Sequence, residues 1–369
     1  MLNVKVTIIF LFIFAYGMGQ NASQFQLDSL NKRYLFYFTG ECHTKKDYKY
    51  TFELIKHLYI TNKVRRVILE LPQEYEFVLN QYINDSTSKD SDNIFLFEKH
   101  HIQKQIEFYQ FIEKLRLFNH SLEKEKISIV CPDISKTVDY AFYKIGLIKM
   151  LGVTHNEYVN KYIDNALTVK RIHLTNNQYK KTVKNIYNLK TCLEIFESDF
   201  KDLYKENFLA VKREINCLYK VALAYQKYKV IPDSVREQLI FESIMDDYTR
   251  NIGICYYGNY GQLHTILNCN LNYATSGNIQ VNKSMTQRLN ETEELHGKIA
   301  TMPYYYLNND SSSIACRLKI FGKNILTTEE ELKFRNTLNA NECFYLSTRY
   351  QLTRKDLKNM FNFIIIKNE

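Results

Sequence analysis

The stretch YLFYFTGECHTKKDYKYTFELIKHLY, residues 34–59, joins an apolar run to a helical pattern through a short polar segment. The run YLFYFT (34–39) predicts a buried strand, and the apolar residues of 48–59 recur at helical spacing. Between them, Gly40 is followed directly by the titratable sequence ECH (41–43). Open α/β sheets place their functional groups beyond the carboxyl ends of strands. The stretch therefore predicts one strand–helix unit of such a sheet, with candidate functional residues at the turn.

Strands and helices continue to alternate through the first third of the chain. The segments RVILELP (66–72) and ISIVCPD (127–133) predict two further buried strands, and residues 74–83 and 95–118 have helical periodicity. Buried strands that alternate with helices are typical of a parallel sheet with both faces covered. We therefore predict an α/β fold with a mostly parallel sheet covered by helices on both faces.

The remaining two thirds of the chain begin with a change of pattern. From about residue 134 to 250 the strand signals stop and several amphipathic helices follow, which predicts an inserted helical lobe. The segment NIGICYYGNYGQLHT predicts a strand at 252–257, a glycine-rich turn and then His264. A last buried strand is predicted at 360–367, where it would close the sheet. We expect a single α/β domain over residues 20–369, with the lobe at about 134–250.

The N-terminus has the pattern of an export signal. Residues 1–19 combine one lysine, an apolar run and a small-residue end at Gly17 and Gly19, which is typical of a cleaved signal peptide. No later segment has the roughly 20 apolar residues that a membrane helix needs. We therefore predict a protein that is exported, to the periplasm or as a secreted protein, with no stable membrane span after cleavage.

The charge distribution bears on the kind of partner. The net charge is +9, but the basic residues are scattered and form no stripe with interleaved aromatic residues, which binding along a phosphate backbone requires. We expect a small-molecule substrate and no nucleic acid. The eight cysteines include no CxxC pair, so they indicate no zinc-finger-type site and leave the disulfide pairing open.

Polar, titratable residues follow four of the predicted strands. Glu41 and His43 follow the first, Glu70 lies near the end of the second, Asp133 follows the third, and His264 follows a late strand. Because the carboxyl ends of adjacent parallel strands share one edge, we expect these residues to converge on one crevice. A histidine beside carboxylates can act as a general base on water, and a second histidine can donate to an oxyanion or complete a metal site.

Four blocks, in order, resemble a known family: FTGECHTKKD, then VILELPQEYEFVLNQYI, then FYQFIEKLRLFN followed by ISIVCPD, and finally GICYYGNYGQLHT. They are similar to the successive motifs of erythromycin esterase-like proteins, within the wider EreA/ChaN-like group that includes the TraB and TIKI proteins. The resemblance covers most of the chain from about Tyr34 onward. It implies an α/β sheet with a helical lobe that forms one wall of a cleft.

The resemblance also implies roles for individual residues. His43 would be the general base that activates water, and Glu41 and Glu70 would be the carboxylates that orient and polarise it. His264 would be the second histidine of the cleft. Asp47 falls where esterase members often have a glutamate and is a further candidate.

Three functions remain open at this point. The first is a hydrolase of an ester, lactone or related bond that requires no cofactor and uses His43 as base. The second is a metal-dependent hydrolase or peptidase of the TIKI or TraB type, in which His43, His264 and a carboxylate bind a divalent metal ion. The third is a non-enzymatic haem-binding protein of the ChaN type. Cys42, between Glu41 and His43, is also a candidate thiol nucleophile, and we rank it last.

Overall fold

The structure, a computed structural model, describes a set of separate stretches of the chain: residues 34–42, 48–84, 106–134, 176–228, 231–268, 283–307, 319–320, 323–324, 326–338, 342–347 and 360–368. The predicted signal peptide lies outside the described residues, as do His43 and Asp47. The chain divides into two compact units: unit 1 comprises residues 1–68 and 248–369, and unit 2 comprises residues 69–247. The predicted single domain with a lobe at about 134–250 stays a prediction.

The strands, numbered along the chain, are β1 (Phe36–Glu41), β2 (Val64–Leu69), β3 (Ser128–Val130), β4 (Cys255–Gly261), β5 (Ile299–Tyr306), β6 (Lys319–Ile320), β7 (Lys323–Asn324), β8 (Glu342–Ser347) and β9 (Phe363–Asn368). The α-helices are α1 (Tyr48–Asn62), α2 (Glu76–Asn84), α3 (Ile106–His120), α4 (Asn176–Ile195), α5 (Glu197–Tyr204), α6 (Phe208–Tyr228), α7 (Asp233–Arg250), α8 (Met285–Glu291) and α9 (Thr328–Thr337). Short 3-10 helices lie at Gln73–Tyr75, Lys205–Asn207 and Gln262–Thr265.

Unit 1 is built around a mostly parallel sheet whose strands run in the order β2-β4-β1-β5-β9-β8. Strand β1 pairs in parallel with β4 on one side and β5 on the other, and β5 pairs in parallel with β9. Only the β8–β9 pair, among the pairings described for this sheet, is antiparallel. Every residue of β1 and β5 is buried. Because successive side chains of a strand point to opposite faces, both faces are covered there, which confirms the predicted α/β architecture.

The structure corrects two predictions about the late strands. The strand expected at 252–257 lies at Cys255–Gly261 and contains the glycines that we assigned to a turn. Gly258 pairs in register with Phe38, and a Cβ atom there would lie 2.3 Å from the Phe38 ring. Glycine at this position therefore makes room for an aromatic ring within the sheet. The last strand, β9, does not close the sheet either, because β8 pairs on its far side.

Strand β5 was missed by the sequence analysis, although it lies beside β1 in the sheet. A proline inside a run argues against a central strand, because proline cannot donate to the hydrogen-bond ladder. Here Pro303 faces Gly40 at the end of the pairing with β1, and the pairing with β9 begins at Tyr304. The proline thus lies where β5 changes its partner.

Unit 2 contains the helices of the predicted lobe that the structure describes. Helix α4 packs against α6, and α5 packs against both. Apolar side chains from these helices form one buried cluster that includes Ile186, Leu189, Val211, Ile215 and Leu218. A parallel bridge joins Pro72 to Asp133, so the segments that follow β2 and β3 meet as predicted for parallel strands.

In the described part of the chain, no helix has the length and apolar character needed to cross a bilayer.

Candidate active site

Glu41 is a buried carboxylate at the carboxyl end of β1. Its side chain is only 3% exposed, and the Nδ2 amide of Asn259 donates to its Oε2 at 2.6 Å. A carboxylate buried to this degree needs hydrogen-bond donors to be stable as an anion. Asn259 comes from β4, which lies beside β1, so the parallel sheet itself supplies the donor.

The orientation of Asn259 is fixed by a hydrogen-bond chain that crosses the β1–β4 pair. Thr39 Oγ1 donates to Asn259 Oδ1 at 2.9 Å, and it also lies 2.6 Å from the hydroxyl of Tyr257. Since the Thr39 hydrogen goes to the amide oxygen, which can only accept, Tyr257 is the donor to Thr39. Burial raises the pKa of Tyr257 above its ordinary value, so its hydroxyl stays protonated. The chain therefore directs a donor at Glu41.

His264 lies on the 3-10 helix that directly follows β4. Gly261, the last residue of β4, pairs in register with Glu41, so Glu41 and His264 belong to the same edge of the sheet. The imidazole is 8% exposed and meets the ring of Tyr260 edge-on, with 5.5 Å between ring centroids. The hydroxyl of Thr286 donates to the His264 backbone carbonyl at 2.9 Å, which fixes the turn. Strand β4 thus brings His264 to the sheet edge at which Glu41 lies, and a shared crevice stays a prediction.

In unit 2, Glu70 and Asp133 are joined by an arginine. The Arg236 guanidinium donates to both Asp133 oxygens, from Nε at 2.8 Å and from Nη2 at 2.5 Å, and Nη2 also donates to Glu70 Oε1 at 2.9 Å. A two-point contact between a planar guanidinium and a carboxylate fixes both groups in distance and angle. Arg236 thus holds Glu70 and Asp133 next to each other within unit 2.

Comparison with solved structures addresses the fold. A structure of a mutant of the erythromycin esterase EreC in its open conformation superposes with a TM-score of 0.63 at 13% identity, covering 92% of each chain. A Bacillus cereus protein gives 0.65, and a protein described as a succinoglycan biosynthesis protein gives 0.60. Both of these are 13% identical and cover 93% of this chain and 90% of their own. The chain has the erythromycin esterase-like fold. No family model matches the sequence, and neither does any curated protein.

On this erythromycin esterase-like fold, Arg236 is the functional candidate that sequence reasoning missed. Burial lowers the pKa of Arg236, but Asp133 and Glu70 more than offset that effect and raise the pKa above its ordinary value. The guanidinium is therefore a permanent cation held by two acids. It lies in an ordinary amphipathic segment of the lobe, and only the folded chain brings it to Glu70, which is 166 residues away in sequence.

Cys42 does not carry a reactive thiol in this fold, because it is disulfide-bonded. This supports our ranking of the thiol-nucleophile hypothesis last, since only a thiolate attacks a carbonyl. It also shows that Cys42 is half of a disulfide bridge, a pairing that the sequence left open. Cys131, Cys192, Cys217 and Cys255 are free thiols.

Metal binding was the second sequence hypothesis. Within the residues that the structure describes, no group of three or more histidine, cysteine, aspartate or glutamate side chains is arranged to hold a metal ion. His43, the histidine that this hypothesis needs together with His264, lies outside those residues. The metal hypothesis stays a prediction.

Proposed function

We propose that the protein is an exported hydrolase that cleaves an ester, a lactone or a related bond with a water molecule activated by His43. One observation carries the proposal: Glu41, two residues before His43, is buried and accepts a hydrogen bond from Asn259 at the carboxyl edge of a parallel sheet. Burying an acidic side chain costs stability, so its place at this edge supports a functional role. The likeness of the fold to an erythromycin esterase structure supports the same reaction class.

The proposed reaction starts when the His43 imidazole removes a proton from water while the water oxygen attacks the carbonyl carbon. The Glu41 carboxylate stabilises the imidazolium that forms. His264, at the same sheet edge, donates a hydrogen bond to the carbonyl oxygen as it becomes an oxyanion. The tetrahedral intermediate then breaks the bond to the leaving oxygen, which takes the proton from His43. The products are an acid and an alcohol, and no cofactor is required.

Export is the second part of the proposal. The predicted signal peptide supports it, and so does the Cys42 disulfide, because disulfides persist in oxidising compartments outside the cytosol.

The roles of Glu70 and Asp47 in turnover remain proposals. For Glu70, the contact with Arg236 supports a role in holding that cation in place within unit 2.

The test is a panel of uncharged alkyl esters, aryl esters and lactones, assayed with the mature protein and with His43→Ala. Loss of a general base typically costs about 100-fold or more in rate, so we expect His43→Ala to lose at least that factor in kcat/KM. His120→Ala is the matched control, because His120 is an exposed residue at the end of α3, and it should keep the wild-type rate. A wild-type rate in His43→Ala, with thermal unfolding unchanged, would remove His43 from the mechanism.

A further inference from the structure

Unit 2 contains a cavity of about 470 Å³ that none of the proposed chemistry uses. Its walls come from α6 and α7, with Lys190 contributed by α4, and residues 132–134 and Gln73 complete the lining. Small-molecule sites in proteins typically have volumes of roughly 300–1,000 Å³. The cavity therefore has the size of a ligand site.

The two lysines that line the cavity already have acidic partners inside unit 2. Lys220 Nζ contacts Glu242 Oε2 at 2.8 Å, and Lys190 pairs with Glu194 one turn along α4. Both pairs are partly exposed and contribute little to stability, but a charged ligand gains less from a lysine that already has an acidic partner.

A second internal pairing lies at Arg213, whose side chain is 9% exposed. Its Nη1 contacts Glu76 Oε1 at 2.5 Å, and its Nε lies 3.3 Å from Asp246 Oδ2. Asp247 Oδ1 is 3.8 Å from Nη1, so three acids surround one guanidinium. An anionic ligand would meet this excess of negative charge, which excludes Arg213 as an anion-binding residue.

The rest of the lining is apolar or neutral. Pro132, Ile134, Val221, Leu223 and Leu239 provide hydrocarbon surface along the walls. Neutral hydrogen-bonding groups come from Gln73, Asn216 and Ser243, and the Ser243 hydroxyl accepts from Arg213 Nη2 at 3.4 Å, so its hydrogen can be donated to a ligand. Such a lining suits a molecule with an apolar body and a small neutral polar group.

We propose that this cavity is a binding site for an uncharged, largely apolar small molecule that carries a hydroxyl, carbonyl or amide group. The inference rests on unit 2 alone and does not depend on hydrolysis. A failed substrate panel would leave it intact, and a failed binding experiment would leave the hydrolase proposal intact.

The test uses two fluorescent probes with the same ring system. N-phenyl-1-naphthylamine is uncharged, and 1-anilinonaphthalene-8-sulfonate adds one negative charge. We expect saturable binding of the uncharged probe to the mature protein, with a dissociation constant about tenfold or more below that of the sulfonate, because the paired charges do not compensate an added anion. Equal or tighter binding of the sulfonate would overturn the proposed ligand class.

Variants that fill the cavity locate the binding. Leu239→Trp and Leu223→Trp should each weaken binding of the uncharged probe by about tenfold or more, since they occupy the space it needs. Leu209→Trp is the matched control on α6, because Leu209 is 63% exposed and does not line the cavity. If Leu239→Trp fails to fold by circular dichroism, Leu223→Trp decides, because Leu223 is 39% exposed and tolerates a larger side chain. Wild-type binding in a folded, filled variant, or binding that never saturates, would overturn the site.

Discussion

At the scale of single residues, the hydrogen-bond chain that ends at Glu41 is the most specific feature of unit 1. The sequence pointed to Glu41, because open α/β sheets place their functional groups at the carboxyl ends of strands. It did not point to Asn259, which lay in a segment that we assigned to a turn. The partner of Glu41 follows from the register that pairs Thr39 with Asn259, and strand register between segments 220 residues apart is not visible in one sequence.

The variant Asn259→Asp tests the Glu41 contact through its dependence on pH. It would place two carboxylates where Asn259 Nδ2 and Glu41 Oε2 now lie 2.6 Å apart, so the folded state must keep a proton on one of them. The folded pKa of the pair then lies above the unfolded value of about 4, and the variant loses stability as pH rises. We expect the free energy of unfolding of the variant to be about 3 kcal/mol below that of wild type at neutral pH. The difference should shrink as the pH approaches 4. Urea denaturation at a series of pH values measures it.

Asn251→Asp is the matched control for this experiment. Asn251 Oδ1 accepts from Arg66 Nη2 at 2.7 Å, so an aspartate there would face a cation. The free energy of unfolding of Asn251→Asp should therefore stay within about 1 kcal/mol of wild type. An Asn259→Asp protein with the same pH dependence as wild type would show that the contact to Glu41 does not exist in solution.

At the scale of elements, the turn after β1 is set by close packing around Gly40. A Cβ atom at Gly40 would lie 2.6 Å from Thr265 Oγ1, 3.1 Å from the Gln262 Cα and 3.2 Å from the Pro303 Cα. Two of these three contacts are backbone atoms and cannot rotate away. Gly40 therefore allows the 3-10 helix that carries His264 and the strand β5 to approach the end of β1.

Gly40→Ala should destabilise the protein by about 2 kcal/mol, because the added methyl group overpacks a backbone contact. The measurement is urea denaturation of wild type, Gly40→Ala, Thr265→Ala and the double variant. Removing the Thr265 side chain should recover only part of the loss, since the Gln262 and Pro303 backbone remains. Full recovery in the double variant, or no loss in Gly40→Ala, would contradict the packing described here.

The elements also show what periodicity can and cannot predict. Alternating apolar and helical patterns predicted β1, α1, β2 and β3 close to their observed bounds, because each is a local pattern of burial. The same reasoning misplaced β4 and missed β5. In β4 the glycines accommodate a neighbouring aromatic ring, and in β5 the proline lies where the strand changes partner. Both are effects of neighbouring strands, which local sequence does not report.

At the scale of the whole molecule, the fold is shared with proteins that are only 13% identical in sequence. The order of the short motifs predicted this fold through their resemblance to erythromycin esterase-like proteins. The contacts of Arg236 and the cavity of unit 2 were not predictable, since they depend on how helices of the lobe pack.

The most direct test of the central claim measures metal content, absorption spectrum and the rate of ester hydrolysis on one sample, before and after treatment with a chelator. Hydrolysis by water activated by His43 predicts turnover of at least one ester or lactone, no Soret band, and the same rate after metal removal. Stoichiometric divalent metal whose removal abolishes the rate would contradict the account in favour of a metallohydrolase. Iron with a Soret band and no hydrolysis would contradict it in favour of haem binding.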